Sequence, residues 1–375
     1  MNRDVVVIGG GIVGSAAAYE LAKSGVQVTL IDEDKPGRAT SAGAGIICPG
    51  TSFRAPIHHF TLSGQAAGYY PVLLDELASL GITHTGYETV GCLYVATNEN
   101  EAEKLPILKT LMEERKSSGM PNIGDLAIVD SEEAKRLFPA IGDIHSAIYL
   151  SGAARLDGRL LRQSLIEAAQ KLGANVIAGS GVLQCKDGNV EGVQVEDLII
   201  ATDRVILAGG AWSNQYRDLI GIDIPIEPQK GQILHLDMRE TTSSWPVVLG
   251  FHSHYMLTFP DHRVVVGATR ETGSGYDTEV TVGGVQEVVN EALRIAPGLS
   301  RGRVVEVRVG LRPATPDLLP ILGEVPSVKG LYLAAGHGAN GLTAGAFSGI
   351  AVSRQVMDVE VGIDLEPYSI QRFEA

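Results

Sequence analysis

The chain has 375 residues, of which 45% are hydrophobic, and a formal net charge of −14. A chain of this length can bury a sizeable core, and we expect it to form two domains. The negative charge argues against nucleic acid as a partner, because phosphate contacts need clustered Lys and Arg. It also argues against an electrostatic membrane anchor. No apolar run of 18 or more residues predicts a transmembrane helix.

Cysteine usage and the start of the chain bear on the cellular compartment. The three cysteines, Cys48, Cys92 and Cys185, are not spaced as metal-binding pairs. We therefore expect neither a disulfide framework nor a metal site. A strand begins by Val5, which leaves no room for a signal peptide. These features predict a reduced, cytoplasmic location.

The amino-terminal segment has the pattern of a dinucleotide-binding unit. An apolar run typical of a strand buried on both faces precedes the turn GGGIVG, in which Gly9, Gly11 and Gly14 fit G-x-G-x-x-G. Gly9 permits the tight turn, Gly11 lets backbone amides approach a pyrophosphate, and Gly14 lets the following helix pack closely. A second strand ends at Asp32, in range of ribose hydroxyls. The fingerprint does not separate FAD from NAD, and a glycine-rich turn without a ligand is the alternative.

Two further glycine-rich segments favour a bound ligand. Residues 37–50, GRATSAGAGIICPG, are mostly small, which indicates backbone pressed against a large flat ligand or, alternatively, an ordinary flexible loop. The run RVILAGG ends in Gly209 and Gly210, at the carboxyl end of a predicted strand, where open α/β sheets bind ligands. Ordinary turn glycines are the alternative there.

The rest of the chain alternates between helical and strand-like patterns. Residues 158–172 have an apolar helical stripe with Asp157 as N-cap, and residues 284–296 form a second amphipathic helix. Residues 186–189 predict a hairpin turn, and residues 230–270 read as strands.

One arginine stands in an unusual setting. Arg312 lies within VGLRPATPDLLPILG, where Leu311 precedes it and several apolar residues follow. A charged side chain among apolar residues is either paired with an opposite charge or functional. The structural alternative pairs it with Asp317. The functional interpretation uses the planar guanidinium, which binds a carboxylate through two parallel hydrogen bonds and keeps its charge.

Several blocks together resemble a known family. VVVIGGGIVGSAAAYELA and RATSAGAG are similar to the D-amino-acid oxidase superfamily of FAD-dependent amine oxidoreductases, and most similar to its bacterial glycine oxidase and D-amino-acid dehydrogenase branches. Further similar blocks follow in the same order: VILAGGAWSN, PQKGQILHL, YMLTFPDHRVVVGAT, VGLRPATPDLLPILG and LYLAAGHGANGLTAG.

The resemblance implies an α/β fold, α+β overall, with a Rossmann-like FAD-binding domain and an antiparallel-sheet substrate domain. The expected FAD-binding domain is discontinuous and comprises residues 1–82, 143–222 and 304–375. The expected substrate-binding domain comprises residues 83–142 and 223–303.

The resemblance also implies site residues. Arg312 and Tyr255 would bind the substrate carboxylate, although a strand tyrosine such as Tyr255 is otherwise a packing residue. Cys48, Arg270 and Ala339 would line the substrate pocket. The glycine oxidases have methionine at the position of Arg270 and arginine at that of Ala339, so the resemblance leaves open whether the side-chain pocket, and with it the substrate, differs from theirs.

The implied cofactor is non-covalently bound FAD. The family holds adenine with backbone groups at the position of Val182, for which a plain core valine is the alternative, and directs the N-terminus of the last helix at the flavin. The implied cofactor-binding residues are Gly9, Gly11, Ile12, Val13, Gly14, Asp32, Glu33, Thr40, Ser41, Ala42, Gly43, Ala44, Gly45, Val182, Gly209, Gly210, Trp212, Gly338, Ala339, Asn340, Gly341, Leu342 and Thr343.

The implied reaction is oxidative deamination of a small amino acid, namely glycine, sarcosine or a D-amino acid. Hydride passes from Cα to flavin N5, and the resulting imino acid hydrolyses to a 2-oxo acid. The electron acceptor is oxygen in an oxidase and a quinone or carrier in a dehydrogenase, and a homo-oligomer is compatible with either. The alternatives are an NAD-dependent dehydrogenase and a flavin-bearing assembly subunit without catalysis.

Overall fold

A computed structural model describes residues 4–52 and 55–373. The α-helices of this part of the chain are α1 (Ile12–Lys23), α2 (Ala39–Ala42), α3 (Ile57–Ser79), α4 (Glu99–Ala102), α5 (Leu105–Ser117), α6 (Ser131–Leu137), α7 (Gly158–Lys171), α8 (Arg217–Ile220), α9 (Val282–Ile295) and α10 (Gly341–Val356). None of the helices in these residues has the length and apolar character needed to cross a bilayer.

The strands of the same residues fall into two large and two small sheets. In chain order they are β1 (Val5–Ile8), β2 (Val28–Asp32), β3 (Ile46–Ile47), β4 (Glu88–Thr89), β5 (Cys92–Ala96), β6 (Leu126–Val129), β7 (Ser146–Leu150), β8 (Ala154–Arg155), β9 (Asn175–Ala178), β10 (Val182–Lys186), β11 (Asn189–Val195), β12 (Leu198–Ala201), β13 (Val205–Leu207), β14 (Glu227–Asp237), β15 (Val247–Gly250), β16 (Tyr255–Thr258), β17 (Arg263–Gly267), β18 (Glu271–Thr272), β19 (Arg303–Ala314), β20 (Ile321–Glu324) and β21 (Leu331–Ala335).

The first large sheet has the strand order β20-β21-β13-β1-β2-β9 and is parallel except at β20. Its central strand β1 is buried on both faces, as its continuous apolar run predicts. Val5 and Val7 pack into the core formed with α1, α7 and α10, whereas Val6 and Ile8 pack towards the small sheet β10-β11-β12. The predicted Rossmann-like unit is therefore present.

The second large sheet is mostly antiparallel, with the order β18-β14-β17-β16-β15-β5-β7-β6 and with β19 paired to β14. Helix α9 packs on it and contributes Val288, Ala292 and Ile295 to its core. This sheet, together with the first, confirms the predicted fold class. Two strands of this sheet come from ranges that the resemblance assigns to the FAD-binding domain. Both β7 and β19 were expected in the FAD-binding domain, but they hydrogen-bond within the second sheet.

Local sequence patterns predicted several elements correctly but did not predict one long helix. The structure contains the predicted helices as α7 and α9, and the hairpin turn has positive φ at Asp187 and Gly188. The segment 37–50, expected as a loop, contains α2 and β3. Helix α3 was not predicted, because Pro71 and two glycines, Gly64 and Gly68, interrupt its helical pattern.

Asp157 couples the two large sheets. Its Oδ1 accepts hydrogen bonds from the backbone amides of Arg159 and Leu160 at 2.9 and 3.3 Å, which caps α7. Its Oδ2 accepts from Arg263 Nη2 on β17 at 2.9 Å. Burial alone would raise the pKa of Asp157, but the hydrogen bond and charge of Arg263, with the two backbone amides, hold that pKa below its usual value.

We expect Asp157→Ala to lower the free energy of unfolding by about 2–3 kcal/mol, because it removes both a cap and a buried ion pair. Thermal melts with saturating FAD test this. Since the folded pKa is depressed, the contribution is present above the unfolded pKa and lost as pH falls through the folded one. The difference from wild type should therefore shrink below about pH 4.

The matched control is Asp130→Ala. Asp130 caps α6 by accepting from the amide of Glu133 at 2.9 Å. Its loss should cost only about 1 kcal/mol, typical of an N-cap. Equal costs for the two variants would contradict the role assigned to the Arg263 contact.

Candidate active site

A cavity of about 1720 Å³, its open mouth included, is lined by residues from both large sheets. In an open sheet, loops at the carboxyl ends of parallel strands converge on one edge, where ligands bind. Each of the five parallel strands contributes here. The contributing residues are Gly9–Gly11 after β1, Asp32 and Glu33 at the end of β2, Gly179–Gly181 after β9, Ala208–Gly210 after β13, and His337–Ala339 after β21.

Two of the three fingerprint glycines, Gly9 and Gly14, are required by close backbone packing. Gly9 has φ +102°, and a Cβ there would lie 2.4 Å from the Ala208 carbonyl oxygen. A Cβ at Gly14 would lie 1.8 Å from the Gly9 oxygen, so α1 can approach β1 only with glycine at this position. Gly11 is different, because its φ is −71° and the nearest atom to its added Cβ is Thr40 Oγ1 at 3.3 Å. Bulk at Gly11 would therefore enter the cavity without straining the backbone.

The N-terminus of α1 faces this cavity. Gly11 is its N-cap and supplies no side-chain cap, although Thr40 Oγ1 accepts from the Ile12 amide at 3.0 Å. Helix N-termini carry unsatisfied amides and partial positive charge, which attract phosphate. The arrangement fits the pyrophosphate of a dinucleotide.

Asp32 is held by basic side chains that sequence reasoning missed. Its Oδ1 accepts from the Gly10 amide at 3.0 Å, and its Oδ2 accepts from Arg38 Nη1 at 2.6 Å and Arg162 Nη2 at 2.7 Å. Arg162 also donates to the Gly10 carbonyl. The predicted ribose contact stays a prediction, but here both carboxylate oxygens already accept protein hydrogen bonds. No motif in the sequence marked Arg162, which lies 130 residues from Asp32.

Most of the predicted cofactor-binding residues line the cavity. They are Gly9, Gly11, Ile12, Val13, Asp32, Glu33, Thr40, Ala42, Gly43, Ala44, Gly45, Gly209, Gly210, Trp212, Gly338, Ala339, Gly341, Leu342 and Thr343. Gly14 does not, which agrees with its packing role.

Three other predicted cofactor-binding residues, Ser41, Val182 and Asn340, lie outside the cavity wall, and their contacts with a cofactor stay predictions. The Ser41 carbonyl accepts from Arg159 Nε, outside the cavity. Val182 is 53% exposed on β10, and the preceding turn Gly179–Gly181 lines the cavity instead. The Asn340 amide donates to Ser63 Oγ on α3 at 2.8 Å. The Asn340 side chain is thus directed by a contact 277 residues away, which sequence spacing does not reveal.

Of the predicted pocket residues, Arg270 and Ala339 line the cavity and Cys48 does not. Cys48 is 8% exposed and belongs to a core cluster that includes Cys92 and Leu257. Burial, with the neighbouring Cys48, raises the pKa of Cys92 well above its usual value. Cys92 is therefore a packing group rather than a nucleophile, and Cys48 packs in the same cluster.

His337 is a further cavity residue, to which the sequence analysis assigned no role. It is 5% exposed, and its Nε2 has no hydrogen-bond partner among residues 4–52 and 55–373. Burial lowers its pKa to about 4, so the imidazole is neutral at neutral pH. A buried polar atom without a protein partner fits a ligand that carries hydrogen-bonding groups.

The Arg312 guanidinium lines the cavity and has no acidic partner within the described residues. Its Nη1 donates to the carbonyl oxygens of Thr269 at 3.0 Å and Lys230 at 3.4 Å. Asp317 pairs instead with Arg372, at 2.7 Å. The Arg312–Asp317 alternative is therefore wrong. The two carbonyl contacts fix one nitrogen of the fork, and the cationic group remains available to a ligand.

Tyr255 lies beside Arg312 in the cavity wall. Burial raises the pKa of Tyr255 despite the opposing charges of Arg312 and Arg270. The phenol is therefore protonated at neutral pH and can donate a hydrogen bond. Glycines make room for both side chains: a Cβ at Gly231 would lie 2.4 Å from Arg312 Nη1, and one at Gly267 would lie 2.8 Å from the Tyr255 hydroxyl. Gly231, in PQKGQ, is a site residue that sequence reasoning missed.

Residues 4–355 match the family model described as DAO: FAD dependent oxidoreductase. The chain belongs to this family. The DAO-family chain is 42% identical over 371 residues to the uncharacterized oxidoreductase YurR of Bacillus subtilis, with 98% of each chain covered. It is 32% identical over 377 residues to a glycine oxidase of Pseudomonas putida, again with 98% of each covered.

The crystal structure of iminodiacetate oxidase (IdaA) from Chelativorans sp. BNC1 matches with TM-score 0.94 and 42% identity, covering 97% of this chain and 98% of that one. The expected superfamily is confirmed, and the DAO-family chain is an FAD-dependent oxidoreductase. The glycine-lined edge, the N-terminus of α1 and the buried His337 all fit FAD. Across the described residues, no group of three or more His, Cys, Asp or Glu side chains is placed to hold a metal ion.

Proposed function

We propose that the protein oxidises the Cα–N bond of a small amino acid and that Arg312 and Tyr255 hold the substrate carboxylate. One observation carries this proposal: Arg312, a partly buried cation without an acidic partner in the described residues, shares one cavity with the glycine-lined cofactor edge. A planar fork of this kind binds carboxylate with two parallel hydrogen bonds.

The residues of the cavity need to supply orientation rather than acid–base chemistry. When bound, FAD accepts the hydride that leaves the substrate Cα. Arg312 and the protonated Tyr255 fix the carboxylate and so set the position of the adjacent Cα. His337 is neutral, and no side-chain base is needed if the substrate amine is unprotonated. The imino acid product then hydrolyses in water to a 2-oxo acid and ammonia or an amine.

The names of the relatives support this class of substrate. Glycine and iminodiacetate both carry a carboxymethyl group on nitrogen, and the two oxidases named for them match nearly the whole chain. Glycine, sarcosine and small D-amino acids therefore belong in the first substrate panel, with oxygen or a quinone as the electron acceptor. A cytoplasmic location and a possible homo-oligomer complete the proposal.

Anaerobic mixing of the purified holoenzyme with glycine, sarcosine, D-alanine, D-proline and iminodiacetate tests the proposal. We expect at least one of them to bleach the flavin absorbance, because hydride transfer reduces the cofactor. Admission of air followed by a peroxide assay then separates an oxidase from a dehydrogenase. Bound flavin that no amine in the panel reduces would favour an assembly subunit without catalysis and would contradict the proposal.

A further inference from the structure

Arg270 is a second cation in the cavity. It has no part in the proposed carboxylate site of Arg312 and Tyr255. It follows β17 and lines the same cavity as Arg312 and Tyr255. Its side chain is exposed, and it has neither a hydrogen-bond nor an ion-pair partner among residues 4–52 and 55–373. The adjacent Glu271 makes no ion pair with it: Glu271 Oε2 pairs with Lys230 Nζ at 3.7 Å, and Oε1 accepts from Gln232 Nε2 at 2.7 Å and Thr269 Oγ1 at 2.6 Å.

The two guanidinium groups lie within electrostatic range of each other. Burial lowers the pKa of Arg312, and the positive charge of Arg270 lowers it further. The positive charge of Arg270 also acts to lower the pKa of the Tyr255 phenol. Two like charges in one cavity repel each other, although the chain as a whole has a net charge of −14 and many acidic groups that could have paired with them.

A ligand with a single carboxylate would neutralise only one of these cations. The other walls near Arg312 are apolar, formed by Ile233, Leu311 and Pro313, and offer no anion to Arg270. A ligand with two carboxylates would pair both arginines and remove their mutual repulsion. We infer that Arg270 binds a second carboxylate and that the substrate is a small amino or imino dicarboxylate. This inference rests on the proposed function, in which Arg312 binds the first carboxylate.

A matched pair of ligands that cannot be oxidised as amines tests the inference by binding alone. Diglycolate and methoxyacetate share an ether core, and only diglycolate has the second carboxylate. We expect calorimetry to show that the holoenzyme binds diglycolate about tenfold more tightly than methoxyacetate. The difference is modest because an ion pair with an exposed cation contributes less binding free energy than one with a buried cation. Arg270→Met should remove most of that preference and change methoxyacetate affinity by less than about twofold.

The control variant is Arg301→Met. Arg301 is paired with Glu240 at 2.7 Å and does not line the cavity, so its loss removes the same charge from a distant surface. It should keep the full preference for diglycolate. Equal binding of the two ligands by wild type, or a preference that survives Arg270→Met, would overturn the inference.

The outcomes separate this inference from the proposed function. Flavin reduction by glycine or sarcosine without a diglycolate preference would retain the proposed function and refute the role of Arg270. A diglycolate preference that Arg270→Met removes, in a protein whose flavin no amine reduces, would retain the two-carboxylate site and refute the proposed function.

Discussion

Arg312→Ala is expected to lower kcat/KM for the substrate by roughly 10²- to 10³-fold while the protein retains its FAD. This corresponds to about 3–4 kcal/mol, which is within the range for removal of one partner from a buried, charged hydrogen-bonded pair. The FAD content should not change, because the cofactor edge is built from the first sheet whereas Arg312 lies on β19 of the second. Steady-state kinetics and the ratio of flavin to protein absorbance measure the two effects.

Two further variants sharpen this test. Arg312→Lys keeps the positive charge but loses the planar fork, so we expect an intermediate loss of about tenfold. The control variant is Arg303→Ala. Arg303 lies on the same strand, is exposed and pairs with Asp237 at 3.1 Å, so its loss should leave activity unchanged. Thermal melts check that each variant folds. A folded Arg312→Ala enzyme with wild-type kcat/KM would remove Arg312 from the site.

Gly11→Val is expected to weaken FAD binding by about 100-fold with little loss of fold. The valine Cβ meets only Thr40 Oγ1 within 3.4 Å, and the φ of −71° suits any residue, so the backbone is not strained. The branched side chain would occupy the space at the N-terminus of α1 that a pyrophosphate needs. A 100-fold loss corresponds to about 2.7 kcal/mol. Titration of the apoprotein with FAD, followed by flavin fluorescence, measures the affinity.

The control is Gly283→Val, near the start of α9. A Cβ there meets no atom within 4 Å, and the residue lies far from the cofactor edge in sequence and outside the cavity wall. Its FAD affinity should equal that of wild type. If Gly11→Val binds FAD normally, the N-terminus of α1 is not the pyrophosphate site.

The sequence predicted those parts of the fold that depend on short-range pattern. The apolar run of β1 is buried on both faces as expected, because a central parallel strand presents alternate residues to two cores. Asp157 caps α7 because capping needs only residues within one turn. Helix α3 was missed because its burial against α10 outweighs the poor helix propensity of Pro71 and its glycines.

Side-chain pairing was the part of the site that the sequence could not supply. Asp32 meets Arg162 across 130 residues, and Asn340 meets Ser63 across 277. Cys48, expected in the pocket wall, is instead packed in the core. No periodicity or residue spacing in the sequence signals any of these contacts, because each arises where elements distant in the chain pack against each other.

By itself the sequence determined that a parallel sheet would end in a glycine-lined, dinucleotide-binding edge, because the strand run, the glycine spacing and the following helix are all local properties of the chain. Only the tertiary structure decided what the charged side chains do there. Asp317 pairs with Arg372, and Asp32 accepts hydrogen bonds from two arginines, Arg38 and Arg162. Arg312 and Arg270 line the cavity and have no acidic partners among the described residues. The reason is physical: a charge is satisfied by whichever group lies a few ångströms away in space, whatever its distance along the chain.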